Sequence, residues 1–193
     1  MKKFKFIKLF SALISICFLL SCCLLSESAS ASKNDEMAVK KIIGVMGPGL
    51  DATEEDLVNS YEIGKYAAQN NYVTLTGGIA TGVMNEALRG AKEYGGLTIG
   101  ILPNHDKSTA SKYLDIPICT DMGQARNYIN ILSSDIIVAC GISSGTSSEI
   151  SLALRMGKLV ILTGATESTN VALFEFVKFP LPLGTTVTVA TPG

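Results

Sequence analysis

The sequence predicts an α/β fold, a doubly wound parallel sheet with helices on both faces, three layers in all. Two observations carry this. From Lys40 to Thr163, apolar runs of five or six residues alternate with longer stretches whose apolar positions recur at helical spacing. Runs apolar at every position belong to strands buried on both faces, and intervening helices join such strands in parallel. A third observation locates function. Three runs end in glycine turns, at Gly47-Pro48-Gly49, at Gly77-Gly78 and from Gly141 to Gly145. In wound parallel sheets the ligand crevice lies beyond the carboxyl ends of the strands, so these turns fall on one rim.

Taken in order, residues 42–46 form the first strand and 51–70 a helix, with Leu57, Tyr61, Gly64 and Ala67 at helical spacing. Residues 72–76 are a strand, 81–93 a helix closed by Gly95-Gly96, and 97–102 a strand ending at Pro103. A polar loop follows, then a short strand at 113–119 interrupted by Pro117. The pattern continues with a helix at 122–133, a strand at 136–140, a helix at 146–156 and a strand at 159–163. Beyond Thr163 the signal weakens: 171–176 reads as a short helix, 179–182 as extended and 185–190 as an edge strand.

The amino terminus is a separate unit. Lys2, Lys3, Lys5 and Lys8 precede an apolar run from Leu9 to Leu20, the layout of an export signal. Its end, Leu19-Leu20-Ser21-Cys22, resembles a bacterial lipobox, which makes Cys22 the lipid anchor and the mature protein an exported membrane lipoprotein. Two other readings stay open: cleavage at Ala29-Ser30-Ala31, giving a secreted or periplasmic soluble protein, or retention of residues 9–26 as an uncleaved anchor. The chain therefore divides into a signal at 1–21, a polar disordered tether at 22–39 and a folded domain at 40–193.

Composition excludes several classes. Without the four leader lysines, 12 basic groups face 17 acidic ones, a net charge of −5. No basic run follows Lys41 and there is no Trp, so nucleic acid is not an expected partner. The five cysteines lack metal-ligand spacing, and neither a metal nor a resident cofactor is expected. Cys119 and Cys140 each close an apolar run and read as small core residues, with a disulfide between them as the alternative in an oxidising compartment. His105, between Asn104 and Asp106, reads as exposed.

The candidate site centres on Gly141 to Glu149, where a strand passes through a Gly/Ser/Thr turn into a helix. Unpaired N–H groups at a helix start attract an anion, and small residues let it approach. Gly141, Ser144, Gly145 and Thr146 are the candidate anion cradle. The competing reading is a plain helix cap, with Thr146 and Glu149 as a capping box.

Here the residues resemble a known group. Gly78-Ile79-Ala80-Thr81-Gly82-Val83-Met84 resembles the glycine–methionine segment of the LOG-like family, the SLOG superfamily. Gly141 to Glu149 resembles that family's P-G-G-x-G-T-x-x-E segment. Residues 90–103 are most similar to a bacterial branch of unknown function, formerly named for lysine decarboxylase. The resemblance implies a Rossmann-like fold, a homodimer, and a nucleoside monophosphate or related phosphorylated small molecule as ligand. It further implies hydrolysis of the N-glycosidic bond of nucleoside 5′-monophosphates, with Arg126 and Glu149 as the catalytic pair, the phosphate on the Gly145-Thr146 turn, and Gly78, Thr81 and Gly82 as further contributors to its binding. A carboxylate suits that chemistry because bond cleavage builds positive charge on the sugar, and an arginine fork suits phosphate. Asn127 reads as a surface residue and Met84 as core packing.

One departure stands out. Ile142-Ser143 replace the family's paired glycines and the proline is missing, which predicts an altered or lost phosphate cradle. The alternatives to hydrolysis are a non-catalytic binding module for a nucleotide-derived or molybdopterin-like ligand, and an interaction scaffold.

Overall fold

The computed structural model describes residues 39–163 and 187–189. They form a seven-stranded parallel sheet in the order β4-β3-β2-β1-β5-β6-β7. The strands are β1 (Ile42–Met46), β2 (Val73–Thr76), β3 (Leu97–Leu102), β4 (Ile116–Cys119), β5 (Ile136–Cys140), β6 (Leu159–Thr163) and β7 (Val187–Val189). The helices are α1 (Glu54–Gln69), α2 (Gly82–Glu93), α3 (Asn127–Ser133) and α4 (Ser144–Arg155), with a 3-10 turn at Gly123–Arg126 before α3. The chain winds outward from β1 to β4, returns to the other side of β1, and winds outward again. The doubly wound fold is as the apolar runs predict. The leader, the tether, Cys22 and the segments expected at 171–176 and 179–182 lie outside the described residues.

Alternation along the strands sorts the core into two layers. Ile43 and Val45 of β1, with Val138 and Cys140 of β5, pack with Ala67 of α1 and with Val83 and Ala87 of α2. Met46, Ile137 and Ala139 point the other way and pack with Ile131 of α3 and Ile150, Ala153 and Leu154 of α4. Successive strand residues face opposite sides, so a strand covered twice must be apolar throughout.

Three expectations change. Cys119 is exposed, because β4 is an edge strand, the place where a strand also tolerates Pro117. The alternative disulfide is excluded: β4 and β5 are four strand spacings apart, about 19 Å, against a Cα separation of roughly 7 Å that a bridge spans. Buried Cys140 is a core residue as expected, and burial pushes its thiol up to about 11. The predicted helix at 122–133 divides into the 3-10 turn and α3. Asp121 and Gly123 both have positive φ, and no side chain caps either piece.

Candidate ligand-binding site

A cleft of about 600 Å³ opens where the chain reverses direction, at the carboxyl ends of β1, β2 and β5. This is the switch point at which wound sheets bind ligands, and the volume suits a small molecule.

One part of the lining comes from the turn after β5. Gly141 has a φ of +74° and turns its missing Cβ onto the Asp56 carboxylate, whose oxygens would lie 2.5 Å from a methyl there. A side chain has neither the backbone conformation nor the space. Ile142 then packs on the core, and Ser143 becomes the cap of α4. The Ser143 Oγ accepts from the Thr146 N–H at 3.2 Å and lies 2.8 Å from the Thr146 Oγ1. The helix therefore starts at Ser144, two residues before the predicted start, and the Thr146–Glu149 capping box does not form. Helix geometry leaves the N–H groups of Ser144 and Gly145 at the cleft. Ser143 thus places a hydroxyl in the turn, where it caps α4. Ser143 is extended, and among the described residues only Asn71 and Asp121 are non-glycine positions with positive φ.

Glu149, further along α4, faces α3. The side chains of Arg126 and Glu149 are each 7% exposed, and Arg126 Nη1 lies 3.6 Å from Glu149 Oε1. Asn130 donates to the same Oε1 at 2.9 Å. Arg126 Nη1 also donates to Asn127 Oδ1, and Asn127 Nδ2 donates to Ser148 Oγ at 3.3 Å. Arg126 Nε and Asn130 Oδ1 have no hydrogen-bond partner among the described residues. Burial pushes the Glu149 carboxyl above the ordinary carboxylate range, against the opposing pull of Asn130 and Arg126. Burial likewise draws the guanidinium of Arg126 down, with Glu149 opposing it. The β2 turn seats the arginine: a Cβ on Gly77 would fall 2.4 Å from Arg126 Nη2.

The sequence-predicted residues divide. Arg126, Glu149, Thr81, Ser144, Gly145 and Thr146 line the cleft together. Gly78, Gly82 and Gly141 are not part of the lining. Gly78 packs on β3, where a Cβ would sit 2.9 Å from Leu102 Cδ2, and Gly82 lies under the Gly49 carbonyl, 2.1 Å from such a Cβ. Two readings are corrected: Asn127 is buried within the site, and Met84 borders the cleft. His105 is exposed, as expected. Sequence reasoning missed Asn130, Gln124 and Leu50. For Asn130 a signal exists, since Arg126 and Asn130 share a helix face at i, i+4 beside the apolar Ile129 and Ile131.

Comparison with known proteins places this geometry. An uncharacterized protein of Archaeoglobus fulgidus is 43% identical over 118 residues, 61% of this chain and 76% of that one. The molybdenum cofactor binding protein of the phototrophic bacterium Rippkaea orientalis has a similar structure. Its TM-score is 0.73 at 45% identity, over 80% of this chain and 91% of that one. The Moco carrier protein of Chlamydomonas reinhardtii gives a TM-score of 0.70 at 46% identity, over 79% of this chain and 90% of that one. DNA processing protein A of Helicobacter pylori, at 19% identity and a TM-score of 0.55 over 75% of this chain and 76% of that one, shares the fold alone. The model of the SLOG cluster4 family matches residues 40–180, which takes in the whole cleft, and the chain belongs to that family.

Proposed function

We propose that this protein binds the molybdenum cofactor, or a closely similar phosphorylated pterin-like molecule, in the cleft and holds it without transforming it. The observation that carries this reading is the buried guanidinium of Arg126, whose Nε has no partner among the described residues, lining the same cleft as the N–H groups of Ser144 and Gly145 at the start of α4. A buried guanidinium is stabilised by an anion beside it, and a helix start adds favourable charge for the same anion. The similarity to proteins named for that cofactor, at about the same identity in a bacterium and an alga, supports the same ligand. The test is retention of cofactor released anaerobically from a donor molybdoenzyme, read as molybdenum and oxidised-pterin fluorescence co-migrating with the full-length protein. Stoichiometric retention that Arg126→Met abolishes is the expected result; no retention by the wild type refutes the reading.

A second reading keeps the hydrolase chemistry, and the 3.6 Å approach of Arg126 to Glu149 within the cleft favours it. Incubation with AMP separates the two. Adenine released by the wild type and not by Glu149→Gln establishes N-glycosidic cleavage; no adenine leaves binding alone. In either case the domain is exported and anchored through Cys22, and it pairs as a homodimer. Mass spectrometry of the amino-terminal peptide and the mass in solution test these two points.

A further inference from the structure

The cleft lining divides by origin. The polar part comes from the 3-10 turn, α3 and the start of α4, with Thr81 from the turn after β2; the turns after β1 and β2 otherwise contribute glycines and apolar side chains. Leu50 of the β1–α1 turn, Ile79 of the turn after β2 and Met84 of α2 border the same cleft as Arg126. Leu50 is 90% exposed, so among the described residues almost nothing packs on a leucine that lines a cleft. Its turn is nonetheless fixed: Val83 N–H donates to the Pro48 carbonyl at 3.1 Å, and Ala52 N–H to the Gly49 carbonyl at 3.4 Å. The backbone thus holds an uncovered apolar side chain at the rim of a site whose other lining suits an anion.

We infer that Leu50, backed by Ile79 and Met84, is the specificity-determining contact for the flat heterocycle of the bound molecule, the phosphate lying at Arg126 and the start of α4. This rests on the cofactor-binding reading above. A phosphorylated heterocycle has the matching division, an ionic end and a planar apolar face. Covering Leu50 removes apolar area from water, and the Met84 thioether makes favourable contacts with aromatic rings. A phosphorylated sugar without a ring system would leave the leucine wet.

The experiment titrates full-length wild type, Leu50→Ser and Leu50→Met anaerobically with molybdenum cofactor from a donor enzyme, and repeats each titration with inorganic phosphate as competitor. Leu50→Ser is expected to raise the cofactor Kd about tenfold, with the inhibition constant of phosphate unchanged. Leu50→Met is expected to stay within about twofold of the wild type, since the swap conserves apolar volume. The unfolding temperature should not move, because the side chain is exposed. A wild-type Kd in Leu50→Ser overturns the inference and leaves the cofactor reading standing. So does equal weakening of cofactor and phosphate, which would mean the turn shapes the anion end. Phosphate that fails to compete overturns the proposed orientation. A wild type that binds no cofactor overturns the reading and the inference together.

Discussion

On one face of the sheet α1 and α2 meet through glycine; on the other, α3 and α4 meet through charge. A Cβ on Gly64 would fall 2.0 Å from the Ala87 carbonyl oxygen, and one on Gly90 2.1 Å from that of Tyr61, so the two backbones nearly touch. Apart from Asp56, a buried capping carboxylate in the first turn of α1, the ionic groups of this pair stay at the surface. Arg89 bridges Glu86 and Glu93, and the Tyr61 hydroxyl donates to Glu93 at 2.6 Å, a hydrogen bond that pushes the phenol up to about 12. Between α3 and α4 the order is reversed: Arg126, Asn127, Asn130 and Glu149 are buried, with two of their polar atoms unpartnered among the described residues. Desolvating an ion pair costs more than packed apolar side chains of the same volume. The comparison teaches that one layer is built for cohesion while the other gives up stability to keep a polar site.

The largest break in this contrast is expected on the cohesive side. Gly64→Val drives a side chain into a backbone carbonyl that cannot yield, and should destabilise the protein by about 3 kcal/mol in denaturant titration. On the site side, the double variant Arg126→Met/Glu149→Met should match the wild type or exceed it by about 1 kcal/mol while losing the ligand, because it removes the desolvation cost. Loss of several kcal/mol instead would show that the buried pair stabilises the fold.

Acidity sharpens the same contrast. The folded-state pKa of Glu149 is raised above its ordinary 4.5, so the native state holds the proton more tightly than the unfolded chain. Its contribution to stability is therefore complete at pH values below 4.5 and is lost as pH rises through the higher folded value. Unfolding free energy followed against pH should fall across that interval in the wild type, and the fall should be missing in Glu149→Gln. The smallest effect belongs to the surface: Arg89→Ala should cost about 0.5 kcal/mol, reduced further by salt.

Most of the fold was legible because fully covered strands read as unbroken apolar runs. The strands at 42–46, 97–102, 136–140 and 159–163 form with those bounds, and β2 starts one residue late. Strand order was not legible, which is why Cys119 looked like core: periodicity reports an apolar run, and only pairing makes β4 an edge. In the candidate site, the Gly/Ser/Thr turn announced itself through local chemistry, and the family likeness supplied Arg126 and Glu149. Asn127 and Asn130 escaped because their partners, Ser148 and Glu149, lie on another helix; helical spacing puts Asn130 on the face of Arg126 but carries no sign of what either asparagine meets. Met84 and Leu50 escaped for the opposite reason, since an apolar side chain at a cleft has the same sequence signature as one in the core.

The proposed function requires one cleft, with Arg126 and the start of α4 facing the phosphate. A crystal structure of the wild-type protein with molybdenum cofactor bound tests it most directly. Phosphate oxygens are expected within hydrogen-bonding distance of the Arg126 guanidinium and of the Ser144 and Gly145 N–H groups, with the pterin against Leu50. Cofactor seated elsewhere on the molecule, with no contact to Arg126 or to the start of α4, would contradict this placement.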